Sequence, residues 1–162
     1  HQQIEHHQSL VRLCGPLSVI RAMSLLGNSV EVRSILRRYR GSQVSGVKLQ
    51  QIIDLCRELD VGTRAVDCKG RGLRTLTLPC ILLVNEGRHC IVLEDLVNQC
   101  RSAIVWDPSD LKRKTIPSFT VRQMWSGQAI LFGPQPWSDS AVVLITAGVF
   151  ALTLAQIVHF TT

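Results

Sequence analysis

Gln8-Ser9-Leu10-Val11-Arg12-Leu13-Cys14-Gly15-Pro16 runs directly into Leu17-Ser18-Val19-Ile20-Arg21-Ala22-Met23-Ser24-Leu25-Leu26. The second stretch places apolar residues at helical spacing and stops at Gly27, the residue type that most readily ends a helix. Pro16 fits the first turn, where a missing N–H is no loss. Cys14 therefore stands at the head of a helix. Exposed amides and the helix dipole favour a thiolate there.

Downstream of this helix the pattern is helical, then extended. Ser29 is placed to cap a second helix to about Tyr39. Ser45 is placed to cap a third, with Val47, Leu49, Ile52, Ile53, Cys56 and Leu59 on one side and Gly62 after its end. Beyond Gly62 the period changes. Residues 63–68, 80–84, 89–93, 103–106 and 129–132 read as short strands. Asn85-Glu86-Gly87-Arg88 is a turn that makes an antiparallel hairpin of two of them. Asp107-Pro108-Ser109-Asp110 is another turn, and Ser118 opens a short helix to Trp125, ended by Gly127. Helices first and strands second predict an α+β domain, the helices packed on an antiparallel sheet.

The chain has 162 residues, 46% of them hydrophobic and 19% charged, enough to build a core and too apolar for disorder. It does not start with Met, which suggests a processed product or a piece of a longer protein. His1-Gln2-Gln3-Ile4-Glu5-His6-His7 has no apolar stretch of the signal-peptide kind. The net charge is +6, and no Lys or Arg follows Arg122. Basic residues are scattered apart from Arg33, Arg37, Arg38 and Arg40, and aromatics are few. A solvated helix face explains that cluster better than nucleic-acid binding. The six cysteines include no Cys-x-x-Cys pair, which argues against structural zinc. Cys56, Cys68, Cys80 and Cys90 lie in apolar runs, as reduced core thiols do. His1, His6 and His7 lack an acid or thiol at ligand spacing, and no Gly-rich phosphate loop occurs. No cofactor or metal is expected.

Gly133-Pro134-Gln135-Pro136 reads as a boundary between a domain over residues 1–136 and an appendage over 137–162. Residues 141–160 carry no formal charge, and that length suffices to span a bilayer. The expectation is a C-terminal hydrophobic, membrane-spanning helix. The positive-inside bias then places the basic domain in the cytoplasm, at the cell inner membrane.

Four polar residues stand out against this background: Gln8, Cys14, His89 and Asp107. His89 opens the apolar run His89-Cys90-Ile91-Val92-Leu93, and Asp107 closes Ala103-Ile104-Val105-Trp106-Asp107-Pro108. Each has an ordinary structural reading as a core cysteine, a half-buried histidine or a turn acid. Together they are the parts of a papain-like thiol hydrolase: nucleophile, base, orienting acid and an amide upstream of the nucleophile.

The chain resembles the bacteriocin-processing cysteine peptidases, the double-glycine leader peptidase domains at the N-terminus of peptide-exporting ABC transporters. The resemblance rests on Gln8 six residues before Cys14-Gly15, on His89 and its aliphatic run, and on Asp107-Pro108 ending the next strand. Gly27, the segment from Gly46 to Gly62, Leu78-Pro79, Phe119 and Trp125-Ser126-Gly127 add to it, and it covers about residues 1–136. Three positions depart from the family pattern. Leu13 stands where an acid usually precedes the nucleophile, Ser18 where a second cysteine is frequent, and Cys90 where an aromatic usually follows the histidine.

The resemblance implies a papain-like cysteine endopeptidase that cleaves a precursor peptide after a Gly-Gly-type pair, coupled to export. Cys14 would attack as thiolate, and His89 would pair with it and protonate the leaving amine. Asp107 would orient the imidazole, and Gln8 with the Cys14 N–H would stabilise the oxyanion. The implied partners are a precursor peptide with an amphipathic leader and the exporter's transmembrane and ATP-binding domains. Three rivals remain. They are a catalytically silent leader-docking module, another papain-like thiol acyl transferase, and a membrane-anchored binding protein whose Cys14 and His89 are merely core.

Overall fold

The computed structural model describes residues 13–40, 49–68, 70 and 72–133. Among the described residues, three helices come first: α1 (Cys14–Leu25), α2 (Val32–Arg40) and α3 (Leu49–Glu58). Strands β1 (Thr63–Asp67), β2 (Cys80–Val84), β3 (His89–Val97), β4 (Ser102–Asp107), β5 (Lys112–Pro117) and β6 (Trp125–Phe132) follow, with a single 3₁₀ turn at Leu73–Thr75 and α4 (Ser118–Met124) between. The strands form one antiparallel sheet in the order β1-β6-β2-β3-β4-β5. The expected α+β architecture is therefore present.

Helix α1 ends as its sequence predicts. Gly27 adopts φ +77°, Asn28 N–H donates to the Met23 carbonyl at 2.9 Å and Gly27 N–H to that of Ser24 at 3.2 Å. A left-handed residue after the last turn satisfies carbonyls that would otherwise lack partners. Helix α3 stops by the same device, but at Asp60 (φ 55°), with Val61 N–H donating to the Cys56 carbonyl at 2.9 Å. Gly62 is not needed for that stop, because aspartate tolerates the left-handed region better than most side chains. Helix α2 begins at Val32, beyond Ser29, and α4 has no side-chain cap from Ser118. Arg38 pairs with Glu58, linking α2 to α3.

Strand β2, Cys80-Ile81-Leu82-Leu83-Val84, is buried at every position. A continuous apolar run suits a strand covered on both faces. Ile81, Leu83, Cys90, Val92, Ile130 and Phe132 pack under α1 and α3 with Val19, Met23, Ile52 and Cys56. Leu82, Val84, Ile91, Leu93, Val105 and Leu131 face the other way, toward Leu73, Leu76 and Val121. Period-2 alternation along β2, β3 and β6 divides the core into these two layers.

Strand β5 is absent from the sequence-based expectation. Lys112-Arg113-Lys114-Thr115-Ile116-Pro117 is mostly exposed and highly charged, as an edge strand that must resist further pairing should be. The expected hydrophobic helix at residues 141–160 lies outside the described residues. Among the described residues, no helix is long and apolar enough to cross a membrane.

Candidate active site

Cys14 is the first residue of α1. The helix carries no acid in its first turn, so nothing there opposes a negative charge at its N-terminus. His89 is the first residue of β3 and Asp107 the last of β4. The antiparallel register pairs Val92 with Trp106, which puts Asp107 opposite the neighbourhood of His89 at one end of the sheet. Helix α1 packs across β3, so three residues separated by 93 positions meet. Gln8, the fourth expected member, lies outside the described residues.

His89 Nε2 and Asp107 Oδ1 are 2.9 Å apart. The same oxygen accepts the Ser109 backbone N–H at 2.9 Å and the Ser109 hydroxyl at 2.7 Å. Lys114 Nζ lies 3.8 Å from Oδ2. Burial works against the Asp107 carboxylate. The hydrogen bonds from His89 and Ser109 outweigh it, and hold the group well below the usual carboxylate range.

Cys14 is fully buried at the head of α1, close enough to Cys90 and His89 for both to act on its thiol. The Cys90 thiol is the strongest influence lowering its pKa. Burial opposes it, and the His89 hydrogen bond and charge add to the lowering, so the value falls to about 5. Burial also opposes the His89 charge. Bonds to Asp107 and Cys14 overcome it and raise the imidazole to about 9. Between these values the stable form is a thiolate–imidazolium pair held by a carboxylate. With Nε2 committed to Asp107, Nδ1 is the nitrogen left for the cysteine. That arrangement can attack a carbonyl carbon and return a proton to a leaving amine. The core thiols behave otherwise: burial pushes Cys56 up to about 12 and Cys80 higher still.

An ion-pair cluster around the Glu94 carboxylate ties the helix to the sheet. Glu94 sits where the β3–β4 register shifts, between Leu93 and Asp95. Its side chain is only 4% exposed, and it accepts from Arg21 Nε at 2.8 Å, from Arg21 Nη2 at 2.7 Å and from Arg113 Nε at 2.7 Å. Arg21 lies on α1, Glu94 on β3 and Arg113 on β5, so the cluster fastens the cysteine-bearing helix to the histidine-bearing strand.

Sequence reasoning singles out Cys14, His89 and Asp107; the fold joins His89 to Asp107 by a hydrogen bond and packs α1, which carries Cys14, against β3. Sequence reasoning misses Glu94, Arg21 and Ser109 as supports and reads Cys90 as core alone. Only Ser109 has a local signal, since a hydroxyl two residues after a turn aspartate is a common partner for its carboxylate.

A helix-borne cysteine facing a histidine–aspartate pair at the strand ends defines a cysteine hydrolase. The Peptidase C39 family model matches residues 6–136, and the chain belongs to that family. It is a cysteine peptidase. No curated protein matches. Among solved structures, the chain is similar to the peptidase domain of Streptococcus ComA, a bi-functional ABC transporter of a quorum-sensing pathway. Identity is 22% over 76% of this chain and 93% of that one, with a TM-score of 0.63. It is also similar to a double glycine motif protease from an AMS/PCAT transporter, solved with its leader peptide. There the identity is 20% over 75% and 84% of the two chains, with a TM-score of 0.61. A third is the N-terminal peptidase C39 like domain of the toxin secretion ATP-binding protein from Vibrio parahaemolyticus. It is 17% identical over 79% and 98%, with a TM-score of 0.58. At these identities the likeness is one of fold.

Proposed function

We propose that this chain is a leader peptidase that cuts a precursor peptide after a Gly-Gly-type pair, with Cys14 as nucleophile, His89 as acid–base partner and Asp107 as the orienting acid. The observation that carries this reading is the His89–Asp107 pair, 2.9 Å apart, whose imidazole acts on the Cys14 thiol at the head of α1. The Cys14 thiolate adds to the scissile carbonyl carbon. The imidazolium gives its proton to the leaving amine, and an acyl-enzyme remains. Water, deprotonated by His89, then releases the leader and regenerates the thiol pair. Gln8 and the Cys14 N–H are assigned to the oxyanion; loss of one such donor typically costs about 3 to 4 kcal/mol of transition-state stabilisation.

Residues 1–136 are the peptidase unit in this reading, and 137–162 a linker and membrane helix. The peptidase unit then works on the cytoplasmic side of the inner membrane, beside an exporter whose transmembrane and ATP-binding domains take the cleaved cargo. Family membership and the likeness to peptidase domains of ABC transporters support this setting.

The test is mass-spectrometric detection of cleavage in a synthetic peptide with an amphipathic leader ending in Gly-Gly. Cleavage at that bond, abolished in Cys14→Ala with an unchanged circular dichroism spectrum, is expected. Cleavage that persists in Cys14→Ala overturns the assignment of the nucleophile. Binding of the leader by the parent chain without any cleavage overturns the peptidase reading in favour of a docking module.

A further inference from the structure

Glu94 is the extra residue of β3. Val92 pairs with Trp106 and Leu93 with Val105, but the next pairs are Asp95 with Ile104 and Leu96 with Ala103, so Glu94 has no cross-strand partner on β4. Leu93 and Leu96 both pack in the layer away from α1, although strict alternation would put them on opposite faces. The extra residue returns Leu96 to that layer and leaves Glu94 on the α1 side of the sheet. There Arg21 Nε and Nη2 hold Oε1 at 2.8 and 2.7 Å, and Arg113 Nε holds Oε2 at 2.7 Å.

Both arginines come from elements that bear on the site. Arg21 follows Cys14 by two helical turns, so the two stand on one stripe of α1, about 10 Å apart along its axis. Arg113 pairs with Trp106, the residue before Asp107 on β4. Glu94 itself lies on the strand that begins at His89. One carboxylate thus joins the helix of Cys14, the strand of His89 and the strand laid along that of Asp107.

We propose that Glu94 is a positioning residue for the reaction: by clamping Arg21 it fixes where α1 lies along β3, and so sets the Cys14 sulfur against the His89 imidazole. The proposal rests on the reading of Cys14 as nucleophile and His89 as its partner. Apolar packing under α1 is non-directional and tolerates a small slide or roll of the helix. A guanidinium on a carboxylate oxygen is directional and does not.

The experiment is the rate of Cys14 alkylation by iodoacetamide from pH 4 to 10, read on the full chain by site-resolved mass spectrometry, with the melting temperature of each variant. The parent is compared with Glu94→Gln, Glu94→Asp, Arg21→Met and Val121→Ala. No peptide is used, so the outcome does not depend on the leader. Val121, fully buried in the opposite layer, is the control for destabilisation alone.

Glu94→Gln and Arg21→Met should each raise the pH at which Cys14 becomes reactive by about one pH unit or more, so that alkylation at pH 5 falls about fivefold. The shared direction separates positioning from simple charge. As bare charges the two would act oppositely on a thiolate, since losing a carboxylate favours it and losing a guanidinium disfavours it. Glu94→Asp keeps the charge but shortens the reach, and should shift the titration the same way; it serves if Glu94→Gln fails to fold. Val121→Ala should lower the melting temperature and leave the titration in place. Opposite shifts in Glu94→Gln and Arg21→Met overturn the proposal, and so does an equal shift in Val121→Ala. Variants that superimpose on a parent with a low reactivity pKa overturn the proposal alone. An ordinary thiol in the parent overturns the reading of Cys14, and the proposal with it.

Discussion

Asp107 Oδ1 lies 2.9 Å from His89 Nε2 while also accepting two hydrogen bonds from Ser109. One carboxylate oxygen is thereby fixed from its own turn and from the neighbouring strand. The imidazole is oriented by a group that cannot itself swing away, and its charged form is favoured.

Replacing Asp107 separates these two contributions. Asp107→Asn keeps an acceptor for Nε2 but removes the charge, so the His89 pKa should fall from about 9 toward the ordinary histidine value. We expect a loss in kcat/KM of about tenfold and an alkaline limb displaced toward neutral pH. Asp107→Ala removes both and should cost on the order of 10²- to 10³-fold. Equal effects from the two substitutions would show that the charge alone matters.

The pH profile of kcat/KM should be bell-shaped. The Cys14 pKa is lowered, so thiolate is lost as pH falls through about 5. The His89 pKa is raised, so the imidazolium is lost as pH rises through about 9. Activity should be flat between them, and the two limbs describe the pair jointly. A single ionisation near 8.5 would mean an ordinary thiol and no ion pair.

Breaking the Glu94 cluster should act on stability and on the site together. Arg21→Met removes two contacts to a buried carboxylate from a side chain that is 30% exposed. Arg113→Met removes one from a side chain that is 58% exposed. We expect about 1 to 3 kcal/mol for Arg21→Met, and less for Arg113→Met, whose partner role is screened by water. Thermal unfolding checks the order. The Arg21 variant should also lose kcat, because α1 carries Cys14.

Ser18 is fully buried on α1, and its hydroxyl has no hydrogen-bond partner among the described residues. Ser18→Ala removes an unsatisfied polar group and improves helix propensity, so it should raise stability by about 1 kcal/mol. A fall in melting temperature would show that the hydroxyl has a partner in solution.

The sequence by itself determined the class of fold and singled out Cys14, His89 and Asp107 as candidates. Those signals are local: a helix-period run that stops at Gly27, an all-apolar β2, and polar residues placed at the ends of apolar runs. It also carried the end of α1, but not that of α3, where Asp60 takes the left-handed conformation ahead of Gly62. Tertiary structure decided the rest. Strand β5 is too charged to show a hydrophobic period and exists because β4 offers it a ladder of hydrogen bonds. Glu94 is an ordinary acid in the sequence, and only the register shift in β3 turns it inward between two arginines. Cys90 reads as one more apolar residue, and only the packing of α1 on β3 sets it in the same buried layer as Cys14. Such roles depend on contacts between residues far apart in the chain. Burial, register and electrostatic environment arise from those contacts and from no short stretch of sequence.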